Sequence, residues 1–512
     1  MHFDFSKILI ILALLLVVGV PFLFRPASAV PDENALSLVI ITPHNEQIRT
    51  EFERGFDRWY RKRFGGHGVV IDWRTPGGTS EIRKQLYAEY QAAIDNGPIE
   101  PRSMSYDLLF GGGSYEHGKM KTVFKPKGSG DDNGEARSTT ISQAVDFSQA
   151  QLDEWYGKNE IGRNTLYDPE HHWFGTALSA FGLVFNRDVL REIGVADPVT
   201  WDDLTNPKLR GWVALADPGQ SGSICTTFDV ILQRAGWVEG WRILRESAAN
   251  SRYFSNSSSK VPIDVSLGEA AAGMCIDFYG RYQAQTIKDA GGGDRVGYAD
   301  PPKMSDIDPD PISLLVGAPH PELAKRFIEF CLSVEGQSLW QYPASGKSKG
   351  GRGGSGDELG PEEFELRRMP VRRMMYESSY VEHFIDRVNP FELVEPVDSW
   401  NWNTRALIPA LFSAMAIDNQ QYLGRAWKAM NEAGPNHKNA AKMRELFLKM
   451  PTTELDDEET GAVHEVSLAG VKYLKMIKSA WEADPMKRDR DRIAWTKFFR
   501  ANYLEVERLA GG

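Results

Sequence analysis

Gly113, Gly118 and Lys119 in "YDLLFGGGSYEHGKMK" (106–121) stand at the spacing of a phosphate-cradling loop, and so pose the first chemical question. Such a loop needs a hydroxyl directly after its lysine to hold magnesium. Met120 occupies that position, and "TVFKPKGSGDDNGEA" (122–136) carries a proline and clustered turn residues where a helix should follow. What survives is a turn at a strand end, with backbone N–H groups free to face a ligand. "DIDPDP" (306–311) spaces Asp306, Asp308 and Asp310 like the start of a calcium loop, yet its sixth position is Pro311 and its twelfth Gly317. Those positions require glycine and glutamate, so the stretch reads as a solvated, proline-stiffened turn. His171 and His172 have no partner at metal-binding spacing and read as a surface loop. No nucleophilic triad is recognisable. No cofactor and no metal is assigned from these residues.

Four turns have a more useful character. "TPHN" (42–45) brings His44 and Asn45, the latter placed to cap a helix; "PGGTSE" (76–81) brings Thr79. "GGGSYE" (111–116) brings Gly112 and Ser114, and "DPGQSGS" (217–223) brings Ser221, Gly222 and Ser223. Each leaves the carboxyl end of a strand, and all but the third lead into a clear helix pattern. Helix N-termini offer unpaired N–H donors and the positive end of the dipole, so they hold anionic or carbonyl oxygen without net positive charge. Any one such turn is explained by ordinary capping. Their common place at strand ends, in both of the two lobes proposed below, makes a ligand site credible. "CIDFYGRYQAQ" (275–285) adds a strand running out into Asp277, Tyr279, Arg281 and Tyr282. Tyr279 can offer a phenol or, to a hard trivalent metal, a phenolate; its plainer role is packing.

The elements that must position these residues alternate. "LSLVIIT" (36–42), "GVVIDW" (68–73) and "YDLLF" (106–110) are strand-like. Between them lie 45–64, with Ile48, Phe52, Phe56 and Trp59 on one stripe, and 79–94. Alternation of this kind implies an α/β fold with helices on the faces of a parallel sheet, and ligands beyond the carboxyl ends of its strands. A second compact unit follows the run 174–190 and ends near "VGYADPPK" (296–303), so the chain crosses twice between two lobes joined by a hinge. Pro321 opens a further helix. The expected organisation has residues 36–178 as the first part of lobe 1, 179–298 as lobe 2, and 299–375 as the return to lobe 1. Residues 346–360 form a glycine-rich loop in that return, and 376–512 a helical C-terminal extension.

Residues 1–29 differ in kind: Lys7, then "ILIILALLLVVGVPFLF" (8–24), then "ASA" at 27–29, the pattern of a secretory signal cleaved after Ala29. An uncleaved membrane anchor is the alternative reading. Either way the body of the 512-residue chain is exported, to the periplasm or an equivalent extracytoplasmic space. Beyond residue 29 there are 57 basic against 69 acidic residues, which argues against nucleic acid or an anionic membrane surface as partner. Cys225, Cys275 and Cys331 form no disulfide framework and no zinc-ligand spacing. They read as buried thiols, with a Cys225–Cys275 bridge the alternative.

Taken in order, "VIITPHNEQIRTEFERGF" (39–56), "TWDDLTNPKLRGWVALADPGQSGS" (200–223), "VSLGEAAAGMCIDFYGR" (265–281) and "LVGAPHPELAKRFIEFCLSVEGQSLW" (315–340) resemble one family. It is that of extracellular solute-binding proteins of ATP-binding-cassette importers, in the type II group that includes ferric-iron receptors. The resemblance spans about residues 36–375 and implies two α/β lobes on a double-strand hinge. These close on a small solute that is passed by a monomeric receptor to a membrane permease. It implies ligand loops at 42–45, 112–115 and 221–223, with a tyrosine segment at 278–279. Ferric receptors of this kind carry two adjacent tyrosines there; this chain has Phe278 and Tyr279. A lost phenolate weakens a hard-metal site, so a small polar or anionic solute, a phosphorylated one included, fits better than directly bound ferric iron, with a metal or metal chelate the alternative. Two other classes remain to be weighed: an exported hydrolase using the same cleft with His44 as base, and a membrane-anchored sensor or scaffold whose tail binds a protein.

Overall fold

The computed structural model describes residues 35–127, 138–347, 359–393, 400–456 and 463–511. The leader at 1–29 and most of the glycine-rich loop lie outside them. Among the described residues no helix is long and apolar enough to cross a membrane.

Strands β1 (Leu36–Ile41), β2 (Val69–Arg74), β3 (Leu108–Phe110), β4 (Ser142–Gln143) and β5 (Phe174–Ser179) begin a first sheet. β1 runs parallel to both β2 and β3. A single residue, Ala180, separates β5 from β6 (Phe181–Asn186), which belongs to a second sheet with β7 (Val213–Ala216), β8 (Ser251–Ser255), β9 (Ala272–Ile276) and β10 (Val296–Ala299). The chain then returns through β11 (Asp308–Leu315) and β12 (Met369–Pro370) to the first sheet, where β11 lies antiparallel between β3 and β5. Two crossings therefore connect two sheets, and the molecule has the two-lobed type II periplasmic-binding-protein fold.

Helix α1 (Glu46–Phe64) shows how the pattern builds the first lobe. Asn45 Oδ1 accepts the Ile48 N–H at 3.1 Å, and Ile48, Phe52, Phe56 and Trp59 turn inward. Phe56 meets Phe327 edge-on at 5.0 Å between centroids. Each such buried side chain contributes about 1.5–3 kcal/mol. Helix α2 (Thr79–Asn96) follows β2, and helix α3 (Ser114–Lys119) follows β3 directly. The glycine turn thus opens into a six-residue helix, where the prolines and turn residues downstream had pointed to a loop. In the second lobe, α4 (Gly222–Arg234) and α5 (Trp237–Ala249) back the sheet, and α6 (Asp277–Ile287) begins where β9 ends.

One expectation is corrected. "DIDPDP" is no solvated turn: Asp306 and Asp310 are buried, and Asp308 to Pro311 lie within β11, with a register irregularity at Asp310/Pro311 that accommodates the prolines. The C-terminal region is helical as expected, apart from β13 (Thr452–Asp456) and β14 (Val463–Ser467), which pair antiparallel. Within it a π-turn at Ser413–Ile417 separates α7 (Thr404–Phe412) from α8 (Gln420–Ala433). The three cysteines are free and buried. With α9 (Pro485–Leu509), which buries Trp495, Phe499 and Tyr503, the extension shares one continuous core with the second sheet.

Candidate functional site

A cavity of about 80 Å³ lies between the two sheets. A single water needs about 10–15 Å³ by this measure, so the space admits a small polar solute. Its walls come from both lobes. From the first come Pro43, His44, Gly78, Thr79, Gly112 and Asp310; from the second, Ser221, Gly222, Ser223, Ser257 and Ser258. The N-termini of α2 and α4 face one another across it. A Cβ on Gly78 would stand 2.7 Å from the Gln220 carbonyl oxygen, and one on Gly222 3.3 Å from Thr79 Cβ. The lobes are therefore in contact at the tips of these two helices. The first N–H groups of each helix have no intrahelical acceptor. A row of hydroxyls borders them: Ser221 Oγ lies 3.2 Å from Ser223 Oγ, which lies 2.7 Å from Ser258 Oγ. The side chains that line this end are neutral hydroxyls, and the helix dipoles add positive character.

The opposite end is charged and internally balanced. His44 Nε2 and Asp310 Oδ2 are 2.7 Å apart, and Arg368 Nη1 meets the same Oδ2 at 2.7 Å. Asp310 Oδ1 accepts the Gly112 N–H at 2.7 Å, a bond that Gly112 reaches with φ +121°, a conformation disfavoured with a Cβ. Arg368 also donates to Ser179 Oγ at 2.8 and 3.0 Å and lies over the Phe278 ring at 4.3 Å. Burial favours the neutral Asp310 carboxyl, but Arg368, His44 and the Gly112 amide overcome it and hold the group well below the usual carboxylate range. Burial lowers His44, with Asp310 pulling the other way. A neutral imidazole donating from Nε2 to Asp310 satisfies both, and leaves Nδ1 as an acceptor with no partner among the described residues. Asp308 receives the Ser114 hydroxyl at 2.6 Å and is raised to about 6, chiefly by burial. Tyr279 sits in the first turn of α6, where a strand end was expected, and burial pushes its phenol up to about 12.

Seven of the nine residues singled out from sequence line this cavity: His44, Thr79, Gly112, Ser221, Gly222, Ser223 and Tyr279. The other two stand behind it, Asn45 as the cap of α1 and Ser114 as the donor to Asp308. Sequence reading missed Arg368, Asp308 and Asp310. The two prolines hid the strand that carries both aspartates, and nothing around Arg368 repeats a recognisable pattern. Arg405, also missed, reaches the same region from the extension, donating to the Gly222 carbonyl at 3.2 Å and to Thr226 Oγ1.

Residues 133–345 match the family model of bacterial extracellular solute-binding proteins. The match leaves residues 1–132 and 346–512 outside it. The matched segment contains both hinge crossings and the whole second sheet. The chain is 24% identical over 265 residues to the phosphoglycerate transport regulatory protein PgtC of Salmonella typhimurium; the match covers 49% of this chain and spans only 65% of that relative's length. Among solved structures, it is similar to the periplasmic binding protein P5PA at 19% identity and TM-score 0.49, covering 71% of this chain and 93% of that one. It is also similar to the periplasmic binding protein AfuA of Actinobacillus pleuropneumoniae with bound fructose-6-phosphate, at 18% identity and TM-score 0.44, covering 59% and 81%.

Proposed function

We propose that this protein is the monomeric, exported receptor of an ATP-binding-cassette importer, closing its two lobes on a small phosphorylated, hydroxyl-bearing solute and handing it unchanged to a membrane permease. In this reading lobe 1 comprises 36–178 and 299–375, lobe 2 comprises 179–298, and the extension begins near 376. One chain supplies every wall of the cavity, so a monomer suffices. The observation that carries the reading is the convergence of two helix N-termini, from opposite lobes, on one hydroxyl-lined space. Such a pair suits a phosphoryl or carboxylate group without a free cation. His44 Nδ1, Tyr279 and the Asp310 carboxylate at the other end suit the hydroxyls of the same solute. The name of the relative PgtC, a phosphoglycerate transport regulator, agrees with that chemistry.

Ferric iron fits the cavity less well. The place of a second tyrosine is taken by Phe278, which instead seats the Arg368 cation, and a fixed guanidinium repels a trivalent metal. A hydrolase fits less well too. His44 is engaged with Asp310, and among the described residues no serine hydroxyl meets its ring. Its lowered affinity for protons also makes it a weak base.

Calorimetry with 3-phosphoglycerate, fructose-6-phosphate, inorganic phosphate and ferric citrate tests the proposal. An organic phosphate should bind one per chain and more tightly than inorganic phosphate. Tyr279→Phe should weaken that binding by about three- to tenfold, the worth of one hydrogen bond. Unchanged affinity removes Tyr279 from the site, and preference for ferric citrate removes the phosphorylated solute.

A further inference from the structure

The C-terminal extension has no part in the reading above, yet its side chains reach the cleft. Arg405, buried on α7, holds the Gly222 carbonyl and Thr226 Oγ1 of the second lobe on one side. On the other, its guanidinium lies 4.2 Å from the Tyr115 ring and 4.0 Å from Glu116, both on α3 of the first lobe. Close by, Arg163 lies over the rings of Trp400, at 3.3 Å, and Trp402, at 5.0 Å. Arg163 belongs to the first lobe, where the neighbouring Asn164 side chain donates to the Ile307 carbonyl at 2.7 Å.

Residues 376–393 pack on the first lobe, where the Ile385 N–H donates to the Gln341 carbonyl at 3.0 Å, but from residue 400 onward the extension is fastened to the second lobe. Phe412 packs on Phe228 at 4.7 Å, Trp427 Nε1 donates to Asn250 Oδ1 at 2.9 Å, and Trp237 Nε1 donates to the Leu468 carbonyl at 2.8 Å. A body anchored so broadly moves with that lobe when the hinge opens. Its contacts to Tyr115, Glu116 and Arg163 must then break. We infer that the extension is a built-in clamp of the solute cleft: Arg405 is a positioning residue that fixes the Gly222 end of α4, and the Arg405–Tyr115 and Arg163–Trp400/Trp402 stacks tie the two lobes together at its edge. The clamp raises the closed population before any solute arrives and slows release afterwards. The aromatic faces of α9 are already buried in the shared core, which leaves them no role in docking a second protein.

The test uses the full chain without solute, so failure of the phosphorylated-solute reading leaves its outcome unaffected. Ala88→Cys on the first lobe and Val238→Cys on the second, both at exposed positions, carry spin labels; the three native cysteines are buried. Inter-label distances are measured by pulsed electron resonance in this background and with Trp402→Ala or Trp400→Ala/Trp402→Ala added. Trp402 is 62% exposed, so its loss leaves the core intact. Each stack removed should raise the open-to-closed ratio about two- to fivefold, the range of an exposed cation–π contact. Distance distributions that superimpose on those of the parent overturn the clamp, and so does a shift of Trp402→Ala towards the closed form.

Discussion

Replacing Gly78 by alanine puts a methyl group into the seam between the lobes. Gly78 caps α2 with φ −71° and ψ 169°, a conformation open to any residue, so the change carries no backbone strain. Loss of glycine at the cap costs a few tenths of a kcal/mol or more, and the stiffer unfolded chain returns about 0.4–1 kcal/mol. Melting temperature should therefore stay near that of the parent. Closure should not. The new Cβ stands 2.7 Å from the Gln220 carbonyl oxygen of the opposite lobe, where ordinary contact begins at 3.4 Å, so the two helix tips must part by about 0.7 Å. Overpacking of this size costs about 1–3 kcal/mol. That cost falls on the closed state alone, and weakens solute binding by about 5- to 150-fold. Calorimetry with the phosphorylated probe, paired with a thermal melt, reads both quantities. Parental affinity in a folded Gly78→Ala protein would refute the placement of the solute between these helices.

Two further outcomes follow from the buried charges. Arg368→Met leaves Asp310 without its main counter-ion and should destabilise the protein by about 3–5 kcal/mol in urea at pH 7. Because the Asp310 carboxyl is held below its unfolded value, the stability it brings is present above the unfolded value and fades as the pH falls. The variant should lose that acid-side slope, and equal slopes in both proteins contradict the assignment. Asp277 works in the opposite sense. Burial raises its carboxyl to about 7, against the pull of Arg281, and its Oδ1 has no partner among the described residues. Between about 4 and 7 the native state holds more proton than the unfolded chain, so this group's contribution falls as the pH rises. Asp277→Asn should stabilise by about 2–4 kcal/mol at pH 8 and by nearly nothing at pH 4. An equal effect at both pH values in urea titrations contradicts it.

The turns were legible because their chemistry is local. Asn45 caps the helix that begins beside it, and Ser221, Gly222 and Ser223 stand where a strand gives way to a helix. The rule that ligands gather beyond strand ends then joined turns far apart in the chain. The charged end of the cavity obeyed no such rule. Pro309 and Pro311 argue against a strand, and only the shift of register at Asp310/Pro311 lets them lie in one. Arg368 meets His44 across 324 positions, a pairing that no local periodicity encodes. Tyr279 was read one element too early, because β9 passes into α6 without an intervening turn. The hairpin at 452–467 alternates too weakly to stand out beside strong helical stripes, with only Thr453, Leu455 and Val466 turned inward among its described strands.

Capture without chemical change is the centre of this account, and phosphorus NMR of the protein mixed with 3-phosphoglycerate reads it directly. A resonance that shifts or broadens in proportion to protein, saturates at one equivalent and returns intact on denaturation is the predicted result. A phosphorus line untouched by the protein, or growth of inorganic phosphate over time, would contradict it.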